Sequence, residues 1–460
     1  MTSFLERARA DIGTAQITAI QSGARRFQTH REEAVTEYAA MDDMRDRARA
    51  IRLHTLANLD RYLSQFADSV TSNGGSVFFA ADATEANDYI TRVATDRDVH
   101  RIVKAKSMLT EEIRLNDALE RHGLEVIETD LGELIVQLSG DRPSHIIAPI
   151  LHKTRFEVGE LFRDRMDVDY TDDPEELNTI ARRYLRHRFL TADMGISGVN
   201  VAVASTGSIC LVTNEGNGRL STTAPRIHIA VMGMERIVPS IGDLGVILEV
   251  LARSATGQKL SSYTNILTGP RRSWEPDGPD ELHVVIVDNG RSKVLAGSTA
   301  EILACIRCGA CLNACPVYKV VGGHAYGTTY QGPVGAALTP SLFDLEEWAD
   351  LPYASTLCGA CLEVCPVRID IPHLLLEQRR RTVEAKVGPM WMKRPLRLYA
   401  SIATHPRRYR RFLSIGGLVG RFVRSGWISR LPWRASAWTD TRDLSAPRRS
   451  FHTSWRRRGT

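Results

Sequence analysis

Two short stretches of this 460-residue chain contain seven of its eight cysteines. The first, CIRCGACLNACP, runs from residue 305 to 316 and contains four cysteines, whereas the second, TLCGACLEVCP, runs from 356 to 366 and contains three. Clustered thiols at repeated spacing are typical of metal ligands or redox groups, while small secreted domains use cysteines as a disulfide framework. The length of the chain and the lack of an apolar leader at its start favour the first interpretation, and we expect a reducing, cytoplasmic environment.

The first stretch has the spacing C-x2-C-x2-C-x3-C-P, which is that of the bacterial ferredoxins. In such a run the first three thiolates hold one iron–sulfur cluster and the fourth ligates the other cluster. A zinc site usually takes two separated pairs of ligands in tetrahedral geometry, which fits this spacing poorly. The sequence therefore predicts two clusters of the [4Fe-4S] type with exchanged ligands. The predicted ligands are Cys305, Cys308, Cys311 and Cys365 for the first cluster, and Cys315, Cys358 and Cys361 for the second.

The second stretch lacks one cysteine. Alignment of the two stretches on their Cys-Pro pairs places Ser355 at the position of Cys305. The second cluster then has three cysteine ligands, and three arrangements remain open: an oxygen or nitrogen ligand on the fourth iron, a three-iron cluster, or a fourth iron open to water or substrate. The side chains that could approach this position are Ser355, Thr356, His324 and His373.

Residues 71–300 alternate between β-branched runs and amphipathic helical segments. The runs at 76–82, 101–107 and 124–130 are predicted strands, and the segment at 108–123 is a predicted helix. This alternation is typical of an α/β domain with a largely parallel sheet. Further strand-like runs are SHIIAPI, VNVAVAST, GSICLVTN, IHIAVMG and ELHVVIVDNG. Cys210 lies in one of them, and we expect it to be a core residue.

Charge divides the chain into an acidic body and a basic end. From Lys386 onward, eighteen Lys and Arg residues and two Asp residues give a net charge of +16, whereas the whole chain carries +5 and the preceding residues therefore carry −11. Docking onto an acidic partner or onto the acidic body is the favoured interpretation of this end. A peripheral contact with the inner face of the membrane is a second interpretation, because Arg residues are interleaved with Trp. Nucleic acid is not an expected partner, because no recognised module is present.

The cluster region resembles the lactate-utilisation iron–sulfur protein B family. The resemblance rests on the runs at 305–340 and 357–372, including the three-cysteine second motif, on ASTGSICLVTNEGNGRLSTTAPRIHIAVMG at 204–233, and on WTDTRDLSAPRRSFHTSWRRR at 438–458. It implies that residues 71–300 form a lactate-utilisation domain related to the ribose-isomerase and CoA-transferase folds. The first seventy residues are predicted to be helical from their apolar spacing and their near absence of Gly and Pro. The expected fold class is therefore α/β: an N-terminal helical segment, this α/β domain, a helical two-cluster ferredoxin-type domain, and a basic C-terminal region. The corresponding boundaries are 1–70, 71–300, 301–385 and 386–460.

This resemblance implies an electron-transfer subunit of a multi-protein system that oxidises L-lactate to pyruvate, rather than a complete enzyme. The implied partners are a cysteine-rich redox protein and a smaller protein with the same α/β domain. The alternative is an α/β ligand-binding or regulatory protein whose clusters are structural or redox-sensing. No flavin or nicotinamide motif is visible in the sequence. A ligand cleft is expected at the carboxyl ends of the strands. Its candidate residues are Lys104, Lys106, Glu133, Asn214, Glu215, Asn217 and Arg219.

Overall fold

The computed structural model describes residues 3–11, 15–387, 390–420, 426–431, 436, 439, 442–446 and 455. The chain forms two compact units, Met1–Ala385 and Lys386–Thr460. The first unit contains the α/β sheet and both cysteine stretches. The predicted domain limits at 70 and 300 fall within this unit and remain predictions.

The helices of the first unit are described in chain order. They are α1 Phe4–Asp11, α2 Ala15–Thr36, α3 Met41–Ala57, α4 Leu59–Ser72, α5 Ala83–Asp96, α6 Met108–Glu112, α7 Leu115–Arg121, α8 Leu131–Ser139, α9 Arg155–Met166, α10 Pro174–Thr191, α11 Asn217–Thr223, α12 Ile241–Ala255, α13 Arg291–Leu295, α14 Ala310–Ala314, α15 Pro316–Val321, α16 Gly332–Leu342, α17 Ala360–Glu363 and α18 Ile371–Glu384. Short 3-10 helices lie at Ala300–Ala304, His324–Tyr326 and Leu351–Tyr353.

The strands of the first unit form two sheets. They are β1 Ser76–Ala80, β2 Arg101–Lys104, β3 Glu125–Glu128, β4 Met194–Gly198, β5 Val201–Val203, β6 Ser208–Thr213, β7 Ile227–Gly233, β8 Ile237–Val238, β9 Tyr263–Leu267 and β10 Glu281–Val287.

A six-stranded parallel sheet is the centre of the α/β region, as the sequence predicts. Its strand order is β1-β10-β7-β4-β2-β3, and every neighbouring pair is parallel. All seven residues of β7 are buried, because strands inside a parallel sheet are covered on both faces by helices and loops. The carboxyl ends of β2, β4 and β7 therefore open along one edge of this sheet.

A second sheet of four strands, in the order β8-β5-β6-β9, lies beside the first in the same unit. The pair β5 and β6 is antiparallel and brings Val201 opposite Cys210. Cys210 has no solvent exposure, and burial raises the pKa of its thiol to about 12. The prediction that Cys210 is a core residue is confirmed.

Local structure differs from the sequence-based prediction in two places. The predicted helix at 108–123 is divided into α6 and α7, because Arg114 between them has the left-handed backbone conformation, with a φ of 53°. The run SHIIAPI at 144–150 forms turns and bends rather than a strand. Pro149 lacks an amide N–H for a strand ladder, and the amide of Ser144 is bonded to the Pro149 carbonyl, which closes the turn.

The second unit contains two basic helices and a short antiparallel pair of strands. The elements are α19 Met390–Ala403, α20 Pro406–Gly420, β11 Trp427–Ile428 and β12 Leu444–Ser445. Among the described helices of both units, none combines the length and apolar character that a membrane span requires.

Candidate iron-sulfur site

The two cysteine stretches form loops with the same backbone conformation, displaced by fifty residues. Arg307 and Leu357 both have a left-handed φ, of 59° and 55°, and each is followed two residues later by a glycine of positive φ. Such a φ is costly for a residue with a side chain, by about 1 kcal/mol or more. In the first loop the Arg307 amide donates to Cys305 Sγ at 3.3 Å, and in the second the Leu357 amide donates to Ser355 Oγ at 3.1 Å. Ser355 therefore occupies the structural position of Cys305.

Four cysteines come together in the first group, although one of them is far away in the sequence. Burial, reinforced by the nearby Cys305 and Cys365 thiols, raises the pKa of Cys308 to about 12. The same causes raise the pKa of Cys311 well above its usual range. Burial and the nearby Cys305 thiol raise the pKa of Cys365, which belongs to the second stretch, to about 11. The fold thus places Cys365 with the three cysteines of the first loop.

Three cysteines form the second group. Burial, together with Cys315 and Cys358, raises the pKa of Cys361 to about 12. Cys358 is exposed, and hydrogen bonds from the Ala360 amide and the Thr356 hydroxyl lower the pKa of its thiol. Cys361 is also close enough to Cys311 to affect its protonation, so the two groups are adjacent.

The two groups have the donor chemistry that iron–sulfur clusters require. The first offers four thiols, and the second offers three thiols with a hydroxyl group at the position of the fourth. Buried thiols without metal favour the protonated form, whereas iron bound by them would displace the protons. The residues present therefore fit two clusters, the second with a fourth position that differs from the first.

Arginines surround the first group, of which Arg45 is buried and Arg31 and Arg236 are half-buried. Arg45 donates from Nε and Nη2 to the Cys365 carbonyl at 3.1 and 2.9 Å, and Arg31 donates to the Val364 carbonyl at 3.2 Å. Arg236 donates to the Cys305 carbonyl at 3.4 Å. These side chains fix the loop backbone and add positive charge beside a thiolate-rich site. Positive charge raises the reduction potential of a cluster.

Arg52 connects the N-terminal helices to both the sheet and the first cysteine loop. It is 3% exposed and donates to the carbonyls of Ala304 and Ile237 at 3.3 and 2.7 Å, and to that of Leu303 at 3.1 Å. Burial, with Arg236 nearby, lowers the pKa of Arg52 to about 10, so it remains charged at neutral pH. Helix α3 is thereby anchored to the cysteine region.

The four side chains that are candidates for the fourth ligand of the second cluster do not lie together in the structure. Ser355 and Thr356 lie in the second loop, and Arg379 holds that loop by donating to the Ser355 carbonyl at 3.2 Å. His324 lies instead beside Asp141 and His152, with its Nε2 2.8 Å from the Arg142 carbonyl. His373 is exposed in the first turn of α18. The structure brings the two hydroxyl residues to the second group and takes His324 elsewhere.

A cavity of about 440 Å³ lies between the edge of the parallel sheet and the first cysteine loop. The residues that follow β2 and β4 form one part of its wall, and Arg307 and Cys308 form another. Of the candidate cleft residues, Lys106, Asn214, Glu215 and Asn217 line it. The expectation of a cleft at the strand ends agrees with this geometry.

The other candidate cleft residues do not belong to this wall. Lys104 is 1% exposed and forms an ion pair with Glu128 at 2.8 Å, so it is part of the interior. Glu133 is buried behind Lys106, 3.5 Å from its Nζ, and burial raises the pKa of Glu133 to about 7 although Lys106 opposes the shift. Arg219 is exposed.

A buried ion cluster that no sequence motif predicts extends from this wall into the interior. Arg291 forms ion pairs with Glu112 at 2.7 Å and with Glu235 at 2.8 Å, and Glu235 also lies 3.7 Å from Arg307. Although burial acts to raise it, these arginines lower the pKa of Glu235 to about 2. The cluster joins residues 112, 235, 291 and 307, and no local spacing in the sequence links them.

Two family models match this chain. Residues 63–287 match the LUD domain, and residues 301–369 match the 4Fe-4S dicluster domain. The α/β region is thus followed by a ferredoxin-type iron–sulfur domain. These matches agree with the sheet and with the paired cysteine loops.

Curated relatives match nearly the whole chain. Lactate utilization protein B of Bacillus licheniformis is 48% identical over 440 residues, covering 95% of this chain and 92% of the relative. The protein of the same name from Bacillus subtilis (strain 168) is 46% identical over 457 residues, covering 98% and 95%. The uncharacterized electron transport protein YkgF of Escherichia coli (strain K12) is 43% identical over 456 residues, covering 99% and 96%. The chain belongs to the lactate utilization protein B family.

Proposed function

We propose that this chain is the iron–sulfur electron-transfer subunit of a multi-protein system that oxidises L-lactate to pyruvate. The observation that carries the proposal is the pair of adjacent cysteine groups, one enclosed and one open to solvent at Cys358, in a chain of this family. Iron–sulfur clusters, when bound, accept and donate single electrons. The names of the relatives, lactate utilization and electron transport, supply the pathway and the role.

The residues around the two groups have distinct tasks in this proposal. Cys305, Cys308, Cys311 and Cys365 hold the first cluster, and the arginines around them hold the loop backbone and provide positive charge. Cys315, Cys358 and Cys361 hold the second cluster at the surface of the first unit. Because Cys358 is exposed, a partner could approach the second site closely.

The proposed partners are a cysteine-rich redox protein and a smaller protein with the same α/β domain. L-lactate loses a hydride and a proton when it becomes pyruvate, and single-electron centres do not readily accept a hydride. The sequence shows no flavin or nicotinamide motif, so the hydride acceptor is proposed to come from a partner. The basic second unit, with its net charge of +16, is proposed to dock an acidic partner surface.

We expect the purified, iron-loaded chain alone not to convert L-lactate to pyruvate with an artificial electron acceptor, and to support turnover once the two partners are added. The measurement is anaerobic pyruvate formation, followed together with bleaching of the visible cluster absorption. D-lactate is the control substrate. Robust turnover by the single chain would contradict the need for partners, and cluster absorption that ignores L-lactate in the full system would favour the regulatory alternative.

A Ser355→Cys substitution tests whether the missing cysteine has a function. The added thiolate occupies the position that Cys305 has in the first loop, and the Leu357 amide can donate to it as it now donates to Ser355 Oγ. We expect a second cluster that resists oxidative loss of iron but is reduced more slowly by L-lactate, because a thiolate adds negative charge and lowers the reduction potential. Iron content after exposure to air and lactate-dependent bleaching are measured in the same variant.

Ser355→Ala is the matched control, because it changes the same position without adding a thiolate. It should not produce the same resistance. A Ser355→Cys protein with a more resistant cluster and unchanged lactate oxidation would show that the missing cysteine is a neutral loss.

A further inference from the structure

The cavity of about 440 Å³ combines parts of the chain that lie about one hundred to two hundred residues apart in the sequence. Its floor is formed where β2 and β4 end, by residues such as Lys106 and Asn200, and its opposite wall is formed by Arg307 and Cys308 of the first cysteine loop. Ligand sites in open parallel sheets lie beyond the carboxyl ends of the strands. The volume falls within the range of small-molecule sites.

Two cationic groups on this wall lack hydrogen-bond partners. Arg307 is nine-tenths buried, and its Nη1 has no partner among the described residues. The Lys106 ammonium is also buried without a hydrogen bond in the part of the chain that is described, although Glu133 lies 3.5 Å away. Glu133 Oε1 likewise has no hydrogen bond among the described residues, so the Lys106–Glu133 pair is incomplete on both sides. Buried charged groups with unfilled hydrogen-bond positions are costly, and an anionic ligand would fill those of Lys106 and Arg307.

Four cationic side chains, Lys106, Arg236, Arg291 and Arg307, and three carboxylates, Asp130, Glu215 and Glu235, line the cavity. Glu235 is shared by Arg291 at 2.8 Å, Arg307 at 3.7 Å and Arg236 at 4.0 Å. Arg291 also forms an ion pair with a second carboxylate, that of Glu112 at 2.7 Å. Among the described residues, the Arg307 guanidinium has only its 3.7 Å contact with Glu235 and a cation–π contact with the Tyr330 ring. The lining therefore carries one more cation than carboxylates, and the carboxylates nearest to Lys106 and Arg307 lie 3.5 and 3.7 Å away, too far for a strong hydrogen bond.

We propose that this cavity binds a small organic carboxylate bearing a hydroxyl or oxo group, with Lys106 and Arg307 as the partners of its carboxylate. Polar side chains of the wall, such as Asn200 and Asn217, can hydrogen-bond the second oxygen function. The ligand would lie against the loop that contains Cys308. This inference rests on the proposed function for the choice of L-lactate as the probe, and it adds that the carboxylate site is on this chain.

The test is isothermal titration calorimetry of the full, iron-loaded chain under anaerobic conditions with L-lactate and with its neutral amide, L-lactamide. We expect L-lactate to bind at one site and L-lactamide to bind at least ten-fold more weakly. Lys106→Met should weaken L-lactate binding at least ten-fold, whereas Lys293→Met, which removes an exposed lysine on α13, should leave it unchanged. Equal binding of the amide, or no binding of L-lactate, would overturn the proposal.

A second variant is needed as a control for misfolding, because Lys106→Met removes the cation beside the buried Glu133. Ala255 lines the cavity at the end of α12, and Ala255→Phe fills it without a change in charge. Loss of L-lactate binding in Ala255→Phe, with cluster absorption intact, supports the site, whereas affinity within two-fold of the parent in both variants overturns it.

Turnover measured with the partner proteins distinguishes failure of this binding site from failure of the proposed function. Turnover without L-lactate binding to this chain would overturn the site alone, and binding without turnover would overturn the proposed function alone.

Discussion

Replacing Cys365 by serine is expected to remove the cluster of the first group while the cluster of the second group remains. Cys365 belongs to the second stretch, but the fold places its thiol beside Cys305, and its carbonyl is held by Arg45. Serine offers a poorer ligand than thiolate for iron. Iron content should fall by about half for two clusters of equal size, and electron paramagnetic resonance of the reduced protein should lose the signal of one cluster.

The reciprocal variant and a neutral one complete this experiment. Cys315→Ser changes the first stretch but should remove the cluster held with Cys358 and Cys361, because Cys315 lies with them. Cys210→Ala removes a buried cysteine outside both groups and should keep the full iron content. If Cys365→Ser removed the cluster held by Cys358 instead, each stretch would hold its own cluster and the exchange of ligands would be wrong.

Replacing Arg52 by methionine is expected to destabilise the first unit by about 3–5 kcal/mol, because several buried carbonyls each lose a hydrogen bond to a charged donor, at about 1–3 kcal/mol apiece. The guanidinium donates to the carbonyls of Ala304, Ile237 and Leu303, and methionine would leave these acceptors unpaired in the interior. The thermal unfolding midpoint, followed by circular dichroism, measures the loss. The same variant removes a positive charge that lies close to Cys305, so the reduction potential of the first cluster should also fall.

Arg47→Met is the matched control for this change, because Arg47 lies on the same helix α3 and is exposed. It should alter neither the unfolding midpoint nor the potential measurably, since exposed charges contribute little. An Arg52→Met protein with the stability of the parent would show that these carbonyls find other partners. An unchanged potential would show that the charge of Arg52 is screened from the first group.

The sequence by itself determined the chemistry of the cysteine stretches and the class of the fold. Metal-ligand spacing is a local property, and a C-x2-C-x2-C loop holds its thiols together through a few backbone turns. The strands that form within the β-branched runs beginning at 76, 101 and 124 are also set by local sequence. A strand that is buried on both faces of a parallel sheet requires a continuous apolar run. The core position of Cys210 follows from the same pattern.

The tertiary structure decided which distant groups meet. Arg52, Arg236 and Arg307 come from a helix, the turn between β7 and β8, and the cysteine loop, and they converge because the N-terminal helices pack across the first cysteine loop. His324, near in sequence to the first stretch, is directed instead to Asp141 and His152. Burial makes these contacts strong, since charges and hydrogen bonds gain strength where water is excluded, yet burial depends on the packing of the whole unit. The cavity between the strand ends and Arg307 has the same origin, because its two walls meet only when the α/β region and the cysteine region fold against each other.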